Sequence, residues 1–546
     1  MSTALRSRLG AALAGLLVVL GLARIAATYT VFSQTVDEPA HLAAGMEWLD
    51  LGRFTYEAKH PPLPRVLIAL GPYLDGLRSH GERKIVVEGN RILEDRGTYL
   101  RNLTLARLGV LPFFLIGALA VWGWTRRLYG EAAAVAATAL FTFLPPILAH
   151  SGLATTDMAL AAMLPVALLM LTLWLERPTP GRSALLGAAF GLAVLSKISA
   201  VVLVPVCAVA IIACKWFLER REQGGRGGRR TLLPGGARSL AIVAVVAFVV
   251  LWAGYRFALT SHPKFFGGRV SLPLLEVLLG FYQLQEHNEQ GHPAFLLGQL
   301  SQKGWWYFFP VTLAVKTPLP FLVLSVAGLM MLVRSLRARP DWRPLVPLVG
   351  AAAVLALSMT SNINNGVRHV LAVYSFLAIV AGYGAVAAWN AATSRVPARA
   401  AVAGLALWLG ISTVRVRPDY LSYFNELALG RPERIVVNTD LCWGQDYFRL
   451  VDALRARGID SAWVAYHGSL DVARHSLPGM RTLPPRERVT GWVAASAREL
   501  KGVRHQGWEW IDGYTPVARV GQSIWLYYVP PDGERLAAPS SQAASK

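Results

Sequence analysis

The stretch LGAALAGLLVVLGLARIAATYT, residues 9–30, is an apolar run whose only charge is Arg24. A helix of this length crosses the roughly 30 Å of hydrocarbon in a bilayer. Comparable runs recur along the 546-residue chain, which is 54% hydrophobic and 16% charged, with a mean hydropathy of +0.41. That is too apolar for a soluble protein of this size. The expected fold is therefore an all-α polytopic membrane domain. Eleven spans are expected, at about 9–30, 104–124, 131–150, 158–175, 183–196, 198–217, 239–259, 310–333, 344–361, 369–389 and 399–414. Ser196-Lys197 interrupts one apolar stretch and separates the fifth span from the sixth. Arg6 and Arg8 precede the first run, as they would in a signal peptide. The run is long and no small-x-small cleavage site follows, so an uncleaved span is expected.

The formal net charge of +21 does not imply nucleic acid, because most of the excess falls between the apolar runs. Arg126 and Arg127, Arg177 and Arg182, the block KWFLERREQGGRGGRR (215–230), Arg334, Arg337, Arg339 and Arg343, and Arg395 and Arg399 occupy every alternate loop. The positive-inside rule makes that side cytoplasmic. The N-terminus is then inside and, after an odd number of spans, the C-terminal region is outside the cytoplasmic membrane. Cys207 and Cys214 lie in or beside one span, and Cys442 stands alone, so no intramolecular disulfide is expected in the C-terminal region.

Three outer segments are long or chemically unusual. Residues 31–103 hold two short amphipathic stretches, Pro39–Leu51 and Leu63–Leu77, which read as helices lying along the interface. Residues 260–309 end in Trp305-Trp306-Tyr307-Phe308-Phe309, an interfacial aromatic cluster. From about 415 to 533 the chain is more polar. It reads as a small α/β domain, with strands at Arg434–Val437, Ala462–Tyr466, Val489–Ala494 and Ser523–Tyr528 and a helix at Tyr447–Arg457. The tail 534–546 has a disordered composition.

The outer segments also carry the chemistry. Asp37-Glu38 opens the first of them, suited to general-base work or to holding a cation, although adjacent acids also occur in plain hydrated loops. Asp157, in HSGLATTDMAL, sits between two apolar runs, where a carboxylate needs a partner or a polar cavity. With Thr155 and Thr156 it could equally cap a helix. Positive charge on the outer side runs against the topology rule: Lys59, Arg65, Lys197, Lys316 and Arg368, with His369 adjoining Arg368. Single members could snorkel to headgroups, but as a set they suit an anion, most naturally a phosphate at the membrane surface. His41 and His60 match no metal-ligand spacing and read as hydrogen-bonding or substrate contacts. No Walker loop, dinucleotide fingerprint or zinc pattern is present, which favours an energy source already in the membrane.

The motifs DEPAH (37–41), KHPPL (59–63), LATTDM (153–158), LSKISA (195–200), FFPVTLAVKTPLP (308–320), NNGVRHVLAVYSF (364–376), YLSYFNELALG (420–430) and NTDLCWGQDYFRL (438–450) occur in this order. In order and topology they resemble the GT-C class of membrane glycosyltransferases. The branch is the bacterial one related to protein O-mannosyltransferases and the lipid A aminoarabinose transferase. The resemblance implies transfer of a sugar, mannose or another, from a polyprenyl-phosphate carrier to an acceptor hydroxyl, usually with inversion. It implies Asp37 as base, Glu38 as its acidic neighbour and Asp157 as the acid of the second outer loop. His41, Lys59, His60, Arg65, Lys197, Lys316, Arg368 and His369 are the candidate substrate contacts. The acceptor it allows is a protein, a glycolipid or a polysaccharide, and a divalent cation stays open as a further neutralising charge. Two positions depart from the family pattern. Pro64-Arg65 stands where relatives often carry Gly-Lys, and Cys442 where many carry an acid. A transporter or flippase for a lipid-linked anion is the alternative, but no internal repeat supports it.

Overall fold

The computed structural model describes residues 3–222, 235–338, 340–391, 395–502 and 507–531. Part of the basic block (223–230), Arg339 and the expected tail 534–546 lie outside the described residues. Among these residues, eight helices are long and apolar enough to cross a membrane: Ser7–Ala26, Tyr99–Tyr129, Asp157–Glu176, Ala200–Arg221, Gly236–Gly254, Leu319–Ala338, Ala372–Asn390 and Val396–Arg415. The pair Glu131–Thr142 and Pro145–Ser151, bent by 64°, makes a ninth candidate. Two shorter apolar helices, Pro180–Ser196 and Arg343–Ser358, fill the remaining expected places. The chain is a multi-pass helical membrane protein with a strand-containing C-terminal part.

The differences from the expected spans have local causes. The first helix stops at Ala26, short of the expected residue 30. Beyond it the chain wraps around Arg107, which donates to the carbonyls of Tyr29 (3.1 Å), Phe32 (3.1 Å) and Ser33 (3.0 Å). The expected eighth span is broken: Phe308–Lys316 ends before Pro318 and a new helix begins at Leu319. Proline removes a donor and disfavours helix in the residue before it. The Asn425 amide takes up the carbonyls freed there, donating to Ala314 O (2.6 Å) and Thr317 O (2.7 Å).

At one end of the bundle Arg127, Arg182 and Arg343, from three of the basic loops, converge on Glu176. The loops bearing the candidate site lie at the opposite ends of the same helices. There Glu38–Asp50 packs between Pro62–Leu74 and Ile85–Glu94. The approach is close because Gly45 faces the Arg65 carbonyl and Gly89 faces that of Pro39, with no room for a Cβ at either glycine. The helix is accordingly buried along most of its length, His41, Leu42 and Met46 included.

The C-terminal part holds a five-stranded mixed sheet, ordered Gly479–Thr482, Ser461–Ala465, Gly491–Ser496, Ile524–Val529, Ala518–Val520. The first three strands are parallel and the last two pairings antiparallel. One face packs on the helix Tyr447–Ala456 through Leu450, Val451 and Leu454. The other carries Val493, Ala495, Trp525 and Tyr527 and meets Val437, Leu441 and Cys442. Expected strands at 462–466, 489–494 and 523–528 are present within two residues, and the helix at 447–457 is present. Arg434–Val437 is not a strand. Its β-branched side chains, with Val436 and Val437 fully buried, fill space under the sheet, and the Ile435 carbonyl accepts from the Leu297 N–H (2.9 Å). Gly479–Thr482 and Ala518–Val520 were not expected from the sequence.

Candidate active site

Four loops meet where the first helix ends. Residues 32–35 lead into a turn at Val36-Asp37 that opens the helix Glu38–Asp50, and two backbone bonds from the C-terminal part hold this segment: Ser33 N–H to Gln445 O (3.1 Å) and Val36 N–H to Trp443 O (3.0 Å). Glu38 is sealed, with 1% of its surface exposed. Its carboxylate accepts from Arg107 Nε (2.8 Å) and Nη2 (2.9 Å), the Thr35 N–H (2.7 Å) and hydroxyl (3.2 Å), and the Ala154 N–H (2.8 Å). Those bonds tie loop 33–37 to loop 152–157. Arg107 was missed in the sequence, although as the sole charge of the expected span 104–124 it is itself a signal.

Asp37, one residue earlier, points the other way. Its carboxylate accepts from Arg368 Nη1 (2.8 Å) and its side chain keeps 32% of its exposure. The same Arg368 nitrogen lies 3.6 Å from Asp157, which in turn pairs with Lys197 at 2.6 Å. Asp157 begins its helix, but its carboxylate does not cap it. The result is an alternating row, Asp37, Arg368, Asp157, Lys197, drawn from four separate segments. Each charge is offset by a neighbour, which is how a membrane protein tolerates them. Burial pushes the Asp37 carboxyl up, but Arg368, helped by His41, holds it below the usual carboxylate range. Burial alone would lower the Arg368 guanidinium, and Asp37 and Asp157 hold it above its ordinary value.

The NTDLCWGQDY segment supports Arg368. Asp440 accepts from the Val367 N–H (2.9 Å), Asn438 donates to Asn364 O (2.7 Å) and Thr439 to Asn365 O (2.7 Å). The guanidinium lies over the Trp443 ring, 4.4 Å from its centroid. Gly366 turns the loop at φ +94°, and a Cβ there would overlap the Thr439 hydroxyl.

The remaining expected contacts are distributed. His41 is buried, accepts from Arg65 Nε (3.1 Å) and sets its ring edge-on to His60, 5.0 Å away. Burial, then Arg65, lowers His41 to about 3, and His60 is likewise pushed well below the usual histidine range, so both are neutral at pH 7. Arg65 is fully buried and pairs with Glu57. Lys59 is more than a third exposed, 3.7 Å from Glu57. Lys316 is sealed, donating to Leu421 O (2.7 Å) and Asp440 O (2.8 Å), so here it braces the C-terminal segment. His369 lies beside Phe309, with its Nε2 buried and without a partner among the described residues. The sequence also did not single out His150, buried against the Trp443 ring.

Among the described residues no three His, Cys, Asp or Glu side chains converge as metal ligands. Asp37 and Asp157 already share a guanidinium. The donor set therefore does not fit a divalent cation.

Residues 98–223 match the family model of dolichyl-phosphate-mannose-protein mannosyltransferase. The match spans under a quarter of the chain. The matched segment contains Arg107, Asp157 and Lys197. Three solved structures align with the chain at low identity. ArnT from Cupriavidus metallidurans, bound to undecaprenyl phosphate, is 14% identical with a TM-score of 0.49, over 94% of this chain and 97% of its own. AglB from Archaeoglobus fulgidus, with an inhibitory peptide and a dolichol-phosphate, is 12% identical with a TM-score of 0.49, over 94% and 74%. The arabinofuranosyltransferase AftD from Mycobacteria is 12% identical with a TM-score of 0.42, over 96% and 40%. No curated protein matches the chain by sequence.

Proposed function

We propose that the chain is an inverting glycosyltransferase. It moves a sugar, mannose or another hexose or pentose, from a polyprenyl-phosphate carrier to a hydroxyl of a protein, glycolipid or polysaccharide, on the outer face of the cytoplasmic membrane. The observation that carries this reading is the row Asp37, Arg368, Asp157, Lys197, in which Asp37 alone among the acids keeps substantial exposure. Residues 1–414 hold the donor, and residues 415–533 form the outer wall and face the acceptor.

Each group has a definite part. The polyprenyl tail partitions into lipid and brings its phosphate to the bundle end. The acceptor oxygen attacks the anomeric carbon opposite the phosphate, and Asp37 takes the hydroxyl proton as the new bond forms. The bond from that carbon to the phosphate oxygen breaks, and its electron pair leaves with the phosphate. Arg368 and Lys197 are the cations placed to offset that charge, in a site where fixed charges need no reorganisation. Asp157 positions both cations. Glu38, sealed by Arg107, positions the loop and does not take a proton. Holding donor and acceptor together supplies the proximity contribution.

The test is Asp37→Asn in proteoliposomes supplied with a lipid-linked sugar. Transfer should fall by about 10²–10⁴-fold, the usual contribution of a general base, while insertion and thermal stability stay close to wild type. Transfer near the wild-type rate would remove Asp37 from the role.

A further inference from the structure

A cavity of ≈160 Å³ lies beside the loop that carries Arg368: its lining residue Asn438 donates to Asn364 O, and His292 next to it bridges Ile363. Its lining includes Pro293, Phe295, Asn438, His467, Arg498 and Glu499, and none of it comes from a membrane-spanning helix.

Two side chains give the cavity its chemistry. Arg498 is partly buried, and among the described residues its guanidinium makes no hydrogen bond or ion pair. The neighbouring Glu499 is turned to His467 Nδ1 (3.1 Å). The Arg498 nitrogens still reach solvent, and their planar fork is free to take a phosphate or carboxylate. His292, adjoining the cavity at Pro293, is the second. Its Nε2 is buried and has no partner among the described residues. Burial, and then Arg498, hold His292 low, at about 4, so at pH 7 it is a neutral hydrogen-bonding group. Arg368 and Asp37 act on both His292 and Arg498, which puts the pair within electrostatic reach of the reacting carboxylate.

We infer that this cavity is an acceptor subsite: Arg498 binds an anionic group of the acceptor while the accepting hydroxyl extends past His292 to Asp37. The inference rests on the transferase reading and narrows it, from any hydroxyl to one carried by a molecule with a phosphate or carboxylate close by.

The experiment uses the purified full chain in nanodiscs, first saturated with undecaprenyl phosphate so that the donor-phosphate position is filled. Glycerol 3-phosphate is then titrated and thermal stabilisation followed, with glycerol as the neutral probe and glycerate as the carboxylate probe. Wild type should be stabilised by the anions and not by glycerol, and the stronger of the two anions identifies the acceptor's group. Arg498→Gln should weaken that response by at least about tenfold, as expected for losing a charge-assisted contact. It should keep its stabilisation by undecaprenyl phosphate, which shows that it is folded, and Arg498→Lys should recover part of the anion response. An anion response unchanged in Arg498→Gln, or no response in wild type, overturns the subsite. If undecaprenyl phosphate itself fails to stabilise wild type, the donor reading falls separately. An Arg498-dependent anion response in that protein still supports the subsite.

Discussion

Replacing Glu38 by Gln separates a positioning acid from a reacting one. Five donors converge on its two oxygens: two from Arg107, two from Thr35 and one from Ala154. The side chain and its Arg107 partner are each 1% exposed. An amide offers one acceptor oxygen and two N–H groups, so two or three donors would face another donor. Arg107 would keep its three carbonyl contacts but lose its counter-charge. Leaving one member of a buried pair uncompensated costs about 3–5 kcal/mol. Each buried donor left unsatisfied costs about 1–3 kcal/mol more. These contributions overlap, so a destabilisation of at least about 3 kcal/mol is the expected outcome. It is read as a lower temperature for loss of the monodisperse species in detergent. Glu38→Gln combined with Arg107→Met removes both charges and should recover a clear part of that loss, because a buried pair is worth less than the cost of breaking it. Transfer per folded molecule should fall much less than in Asp37→Asn. If Glu38→Gln were as stable as wild type yet as inactive as Asp37→Asn, the positioning role would be wrong and Glu38 would belong to the chemistry.

The pH dependence follows from the Asp37–Arg368 pair. Its folded-state value lies below the usual 3.8, so the base stays ionised, and the pair's contribution to stability stays complete, above about pH 4. Both are lost only as pH falls through that lowered value. Arg368→Gln leaves burial as the main influence, so the acid limb of kcat/KM against pH should move upward, and an unmoved limb would assign it to another group. Gly366→Ala places a methyl against Thr439 at φ +94° and should cost about 1–3 kcal/mol. Transfer should fall with it as the Arg368 loop shifts, measured as thermal stability and kcat on the same preparation.

The sequence made the helical layout legible because apolar length and loop charge depend on local composition. Helix ends were less legible. The break after Lys316 is announced by Pro318 and Pro320, but what makes it stable is Asn425, more than a hundred residues away. The separation of Asp37 from Glu38 was hidden for the same reason. Adjacent acids look alike until Arg107 and Ala154 close around one and Arg368 reaches the other. Lys316 shows what local reading leaves out: a charge in an apolar helix reads as a ligand contact, and its partners in the fold, two carbonyls of the C-terminal segment, are more than a hundred residues away.

The same segment explains why the two halves of the chain work as one. Trp443 and Gln445 hold the loop that ends in Asp37 from one side. Asn438, Thr439 and Asp440 hold the loop that carries Arg368 from the other. One stretch of eight residues therefore sets the distance between the Asp37 carboxylate and the Arg368 guanidinium. A displacement of the C-terminal part relative to the bundle would act on both loops at once. Movement of the C-terminal part is thus mechanically connected to the Asp37–Arg368 pair, without that part's sheet needing to touch either residue.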